Sequence, residues 1–197
     1  FDQVRSYILP YIPCGTKRAL IIGCGNSSFS ADLYDTNIVN EIVNIDYSEV
    51  VIEKMKNLHI AKRPNMTWIT MNMLEMTFSN HYFDIIIDKA TMDALMVDEG
   101  DVWHPDSSVV NSVDILCKNV SRVLKPEGKF IQISFAQPHF RTKYLMNSLK
   151  APLQSSTPYS PITGYCMDYN WTLTYNNIEI EKGCINYFLY VMISCSK

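Results

Sequence analysis

The sequence has no apolar stretch long enough to cross a bilayer. Its longest runs, such as Phe188 to Ile193, fall far short of the roughly 20 residues a membrane helix needs, and no basic-then-apolar leader opens the chain. Its six cysteines (Cys14, Cys24, Cys117, Cys166, Cys184, Cys195) include no Cys-x-x-Cys pair, and no two histidines stand at metal-ligand spacing. A zinc motif is therefore not expected, and the thiols read as reduced and cytoplasmic. Neither sign of charge dominates: the net charge is -3, which argues against a protein built to coat nucleic acid, although Lys17-Arg18 and Lys62-Arg63 leave room for a local patch. There are no repeats, and linker composition is confined to Ala151–Gly164. With 197 residues of which 47% are hydrophobic, the chain reads as one soluble domain over 1–197 with a substantial core. It starts at Phe1 rather than at a methionine, so residues upstream are expected to be missing.

Strand and helix patterns alternate. "RALIIG" (Arg18 to Gly23) is a continuous apolar run closed by glycine, as expected of a strand buried on both faces of a parallel sheet. "NSSFSADLYD" reads as a helix capped by Asn26, Ser27 or Ser28. "EIVNID" (41–46) is a second strand, and Ser48 to Ile60 a helix capped by Ser48, with Val51, Met55 and Leu58 expected on one face. "MTWITM" (66–71), "FDIIID" (83–88) and "GKFIQISF" (128–135) supply three more strands, with a helix near 110–124 stopped by Pro126 and Gly128. "YNWTLTYNN" and "NYFLYVMIS", separated by a turn near Lys182-Gly183, read as an antiparallel pair on the sheet edge. The expected fold is α/β and Rossmann-like: a doubly wound, mostly parallel, seven-stranded sheet with a C-terminal antiparallel pair.

In such sheets ligands bind outside the carboxyl ends of the strands, where strand order reverses. "GCGNSS" lies there. Gly23 and Gly25 permit a tight turn and a close backbone approach to a ligand, and the next helix offers free amides. Asp46 follows about 20 residues later at the tip of the second strand, where an acid commonly accepts hydrogen bonds from ribose hydroxyls. A nucleoside-containing ligand is implied. A dinucleotide fingerprint would need a third glycine where Ser28 stands, which weighs against nicotinamide cofactors. Asp46 has a second reading, as a cap of the helix that follows.

"LIIGCGNSSFS", "VNIDYSEVVIEKM", "FDIIIDKATMDAL", "SRVLKPEGKFIQISF" and "PHFRTKY" together resemble the class I S-adenosylmethionine-dependent methyltransferases, in the branch that includes the elongation factor 1-alpha lysine methyltransferases. That resemblance implies roles for particular residues. Gly23, Gly25 and Asn26 would form the cofactor turn, Asp46 would bind the ribose, Tyr47 would lie beside the adenosine, and Asn72 and Met73 would flank the adenine. The family often has aspartate where Asn72 stands, and glycine where Ala90 stands. Asp88 and Lys89 would face the methionine portion and the acceptor, as both cofactor-binding and catalytic residues, with no metal involved. The implied cofactor is S-adenosyl-L-methionine, converted to S-adenosyl-L-homocysteine. The implied partner is a protein, elongation factor 1-alpha, with neither nucleic acid nor membrane. Relatives carry an aromatic-rich segment ahead of the glycine strand that closes over the cofactor; nothing before Arg18 matches it, so this lid is expected to be missing.

Plainer readings stand beside these. Asp88 and Lys89 would also suit an ordinary solvated charge pair. Asp93 reads as a helix N-terminal acid, His139 and Arg141 as residues that position a loop, and Met92 and Met96 as core filler. Trp171 and Tyr175 read as strand-face packing. A sulfonium is already an activated methyl donor, so alignment dominates the rate. At a lysine pKa near 10.4, only about one amine in a few thousand is neutral at pH 7. A carboxylate such as Asp88 would orient the ammonium while favouring its charged form, so the proton is expected to leave to water. A small-molecule methyltransferase and a non-catalytic cofactor-binding scaffold are the alternatives.

Overall fold

The computed structural model describes residues 1–149, 163–179 and 186–196. A short helix, α1 (Asp2–Ile8), and a 3-10 turn lead into β1 (Thr16–Ile22), α2 (Phe29–Tyr34), β2 (Val39–Asp46), α3 (Glu49–His59), β3 (Met66–Thr70), β4 (Phe83–Lys89) and α4 (Thr91–Leu95). A small hairpin of β5 (Gly100–Asp101) and β6 (His104–Pro105) follows, then α5 (Ser107–Val123), β7 (Leu124–Ser134), α6 (Pro138–Leu145), β8 (Gly164–Cys166), β9 (Trp171–Ile178) and β10 (Tyr187–Ser194).

The main sheet runs β3-β2-β1-β4-β7-β10-β9-β8. Its first five members are parallel, and β10 is antiparallel to both β7 and β9. The order reverses between β1 and β4. The sheet has eight strands where seven were expected, because β8 pairs with β9. The expected antiparallel pair does extend the sheet at the β7 edge: β10 lies against β7 and β9 beyond it, with β8 outermost.

Alternate residues of the central strands feed two separate cores. Leu20, Ile22, Ile86 and Phe130 pack on one face with α5, whereas Ala19, Ile21, Ile85, Ile87 and Ile131 pack on the other with α1, α2 and α3. Continuous apolar runs are what two covered faces require, and each fully buried aliphatic side chain contributes roughly 1.5–3 kcal/mol. Asp106 caps α5, its Oδ1 accepting from the Ser108 amide at 2.7 Å, so the helix begins three residues ahead of the expected 110. It hands over directly to β7 at Leu124.

Ser48 does cap α3, its Oγ accepting from the Val51 amide. The buried face of α3 is Ile52, Met55 and His59, however, and Leu58 is exposed. At the start of α2, Ser28 occupies the cap position but its Oγ donates to Asp32 at 2.8 Å and caps no amide, and Ser27 Oγ accepts from the Phe29 amide at 3.2 Å. Trp171 is fully buried on β9, donating from Nε1 to the Leu145 carbonyl. The expected turn at Lys182-Gly183 and most of the 151–164 linker lie outside the described residues.

Candidate cofactor cavity

Beyond the carboxyl end of β1 the chain turns through Gly23 (φ +56°) and Gly25 (φ +54°), the left-handed region that side chains with a Cβ disfavour. The two glycines serve different ends. A Cβ on Gly23 would overlap the side chain of Thr91, with Oγ1 only 2.5 Å away. Thr91 in turn donates from Oγ1 to the Ile22 carbonyl at 2.9 Å, so α4 is tied to the turn at close range. At Gly25 nothing lies within 4 Å of the same position, so this backbone borders open space.

Asp46 fastens the turn to β2. Its Oδ2 accepts from the Gly25 amide at 2.9 Å and its Oδ1 from the Ser48 amide at 3.0 Å. The residue is 8% exposed, and each oxygen keeps a lone pair for a further donor. Ser48 caps α3 with its own Oγ, and Asp46 holds the amide of that cap residue without bonding a helical amide itself.

A cavity of about 600 Å³ opens beside this turn, lined by Gly23, Ile45, Asp46, Tyr47, Met71, Asn72, Met73, Leu74, Lys89, Ala90, Thr91, Ala94 and Leu95. A smaller one of about 200 Å³ borders it, with Gly25, Asn26 and Ser27 in its wall and Gly23 and Lys89 common to both. The structure thus brings together Gly23, Gly25, Asn26, Asp46, Tyr47, Asn72, Met73 and Lys89. Tyr47 is 85% exposed at the rim. Asn72 spends its Oδ1 on the Leu74 amide at 3.0 Å, which leaves the Nδ2 amide to donate. The methionines and leucines supply an apolar wall, and burial with the nearby Asp46 charge pushes the Cys24 thiol up to about 12, keeping it protonated.

Asp88 is placed otherwise than expected. It is fully buried and lines neither cavity. Its Oδ1 accepts from the Thr91 amide at 2.7 Å, and its Oδ2 from the Met92 amide at 3.1 Å and Gln132 Nε2 at 3.0 Å. The carboxylate binds the first turn of α4 and is not available to an acceptor amine; nor is it a solvated charge. Burial pushes its carboxyl up, and the bonds from Gln132, Thr91 and Met92 pull it back. The reason lies in the next residue but one. Ala90 takes φ +64° and ψ +11°, so the chain doubles back at once and sets helix amides over Asp88, while Lys89 is exposed to the cavity. Where the resembling family has glycine, this chain holds an alanine in a left-handed conformation.

Asp93 does lie in the first turn of α4, but its partner is Arg141 of α6. The two form a buried ion pair, 3% and 2% exposed at their side chains. Ser134 Oγ donates to Asp93 at 2.6 Å, and Arg141 Nη1 to the Met96 sulfur. His139 is exposed and its ring leans on Phe140. Thr91, Ala94 and Leu95 were missed as cavity residues. Thr91 stands in the "DKATMDAL" stretch, and only the packing on Gly23 reveals its part.

Residues 16–182 match the family described as methyltransferase domain. The chain belongs to that family. It is 36% identical over 148 residues to EEF1A lysine methyltransferase 4 of Mus musculus, covering 75% of this chain and 57% of that protein. To the eEF1A lysine and N-terminal methyltransferase of Homo sapiens it is 40% identical over 140 residues, 71% of this chain and 18% of that protein. The chain thus spans little more than half of one curated relative and under a fifth of the other. In fold it resembles the N-methyltransferase NodS from Bradyrhizobium japonicum WM9, at TM-score 0.66 and 13% identity over 99% of this chain and 96% of that one. Among the described residues no helix is long and apolar enough to cross a membrane.

Proposed function

We propose that this chain is one methyltransferase domain over 1–197, which transfers a methyl group from S-adenosyl-L-methionine to a lysine side chain of a protein. The named acceptor of its relatives, elongation factor 1-alpha, is the favoured substrate, and the five described cysteines, all unpaired, suit a cytoplasmic setting. The observation that carries the reading is Asp46, a nearly buried carboxylate that holds both the glycine turn and the start of α3 at the edge of a nucleoside-sized cavity.

The residues fit the cofactor. Asp46 offers acceptors for two ribose hydroxyls, and the apolar wall of Ile45, Met71, Met73 and Leu74 suits an adenine face. The Asn72 amide is free to donate to a ring nitrogen. Open space at Gly25 admits the amino-acid end, whose carboxylate the Lys89 ammonium, common to both cavities, would neutralise. Bound there, the cofactor supplies an electrophilic methyl on a sulfonium. The chain's own work is then to hold and orient the reactants and to exclude water, which is worth several kcal/mol in a transfer of this kind. With Asp88 locked under α4, no cavity carboxylate other than Asp46 is at hand among the described residues to hold the acceptor's proton, so the amine loses it to solvent before transfer.

The test is calorimetry with S-adenosylmethionine, S-adenosylhomocysteine and NAD, followed by transfer of radiolabelled methyl to recombinant elongation factor 1-alpha and to cell extract. The reading requires both sulfur cofactors to bind more tightly than NAD, and label to appear on lysine. Label on a small molecule, or binding without any transfer, would replace it.

A further inference from the structure

On the far side of α4 from the cofactor cavity lies a second recess, about 160 Å³, lined by Asp93, Met96, Val97, Glu99, Phe135, Ala136, Phe140 and Arg141. The two share a helix: Thr91, Ala94 and Leu95 face the first, Asp93 and the adjoining Met96 the second. The first opens beyond the carboxyl end of β4, at Lys89, and the second beyond that of β7, beside Phe135, the residue that follows it. Asp93 is 7% exposed, yet among the described residues its Oδ2 has no hydrogen-bond partner, since Arg141 and Ser134 both engage Oδ1. A buried carboxylate oxygen without a partner is costly, and an arriving donor would recover that cost.

The rim is apolar and acidic together. Val97 is 77% exposed, Trp103 71% and Phe135 54%, and the Trp103 ring stands edge-on to Phe140. Between residues 93 and 106 the sequence holds Asp93, Asp98, Glu99, Asp101 and Asp106 and no lysine or arginine. Among the described residues the cations that face this region are Arg141, held to Asp93 through Nη2 though its Nε has no partner, and Lys143, which donates to the Val102 carbonyl and is partly buried; the exposed His104 ring lies 3.2 Å from Asp101 and adds a charge only when protonated. Exposed aromatics flanked by acids favour a cationic chain, through both charge and cation–π attraction.

We propose that this recess and the β5–β6 hairpin beside it form the docking site for a basic segment of the protein substrate. A lysine or arginine side chain of that segment enters between Phe135 and Phe140 toward Oδ2 of Asp93, and neighbouring cations lie against Trp103, Asp98 and Asp101. The inference deepens the methyltransferase reading, and rests on it for the identity of the occupant.

Trp103 provides a direct readout, because the other two tryptophans, Trp68 and Trp171, are buried. The probe is N-acetyl-hexalysine amide titrated into the full chain, followed by tryptophan emission, with hexaglutamate as control. Hexalysine should give a saturable change that Trp103→Phe abolishes and hexaglutamate does not produce. The Asp98→Asn/Asp101→Asn double variant should weaken it about tenfold. Glu49→Gln/Glu53→Gln, which removes two exposed acids from α3, should leave it unchanged. Asp93→Asn should weaken it at least as much; if that variant does not fold, by circular dichroism, Phe135→Ala serves as the second probe of the recess. Equal responses to the two peptides, or equal affinities in the hairpin and α3 variants, would overturn the proposal. Hexalysine binding without methyl transfer to elongation factor 1-alpha would leave the docking site standing and remove the acceptor; transfer with no hexalysine response would do the reverse.

Discussion

On the side of β1, β2 and β3 the carboxyl-end surface is made of main chain and short side chains: two glycines with positive φ, an aspartate bonded to two amides, an asparagine closing a 3-10 turn. On the side of β4 and β7 it is made of charged side chains taken out of water, with Asp88 under α4 and the Asp93–Arg141 pair between α4 and α6. The first region keeps its polar groups near solvent, where they can exchange an internal partner for a ligand. The second commits them to one another, and so fixes the helix that forms the wall of both recesses.

The comparison predicts that damage should divide between stability and affinity. Arg141→Met strands a buried carboxylate and should lower the unfolding free energy by about 4 kcal/mol, measured by urea denaturation, while cofactor affinity per folded molecule is unchanged. Adding Asp93→Leu should restore most of the loss, because a buried pair replaced by apolar groups is often neutral. A double-mutant cycle showing simple additivity would sink that account.

Gly23→Ala lies on the seam and should hurt both quantities. It adds left-handed strain and overlap with Thr91, together about 3 kcal/mol of stability, part of which Thr91→Ala should return. Asp46→Asn should do the opposite of Arg141→Met. It weakens S-adenosylhomocysteine binding by about 2 kcal/mol through loss of a charge-assisted acceptor, read by calorimetry, in a chain that still unfolds cooperatively. The smallest effect is a gain: Ala90→Gly relieves a left-handed alanine and should stabilise the fold by about 0.5–1 kcal/mol, the relief partly offset by glycine's freedom in the unfolded state. A loss of stability there would mean that the methyl group is held by contacts that outweigh the strain.

The same division governs what could be read from the sequence. The glycine turn, Asp46 and the strands around them are local: a run of apolar residues, a break, and an acid at the next strand tip, all within 30 residues. They lie where the pattern sets them. Asp88 was misjudged because its surroundings depend on a reversal at Ala90 that no periodicity announces. The partnership of Asp93 with Arg141 spans 48 residues and follows from packing, not from pattern. α4 and α6, five and eight residues long, are too short to show a clear helical stripe: the sequence hints at α4 only through Asp93 as a helix N-terminal acid, and α6 reads as a loop. The recess between them was invisible for that reason.

The sheet order bears on how the chain comes to be folded at all. The four strands around the cofactor cavity lie between residues 16 and 89, so they can pair while the rest is still being synthesised. β7 joins them with one edge bare, and its permanent neighbour there is β10, the last of the described strands, some 50 residues later. Until it arrives, Phe130, Ile131 and Ile133 border an open row of amides and carbonyls, a template for any other extended chain. The nucleoside half should thus mature early on the ribosome, and exposure to misassembly should peak in the interval before β10 slides in between β7 and β9.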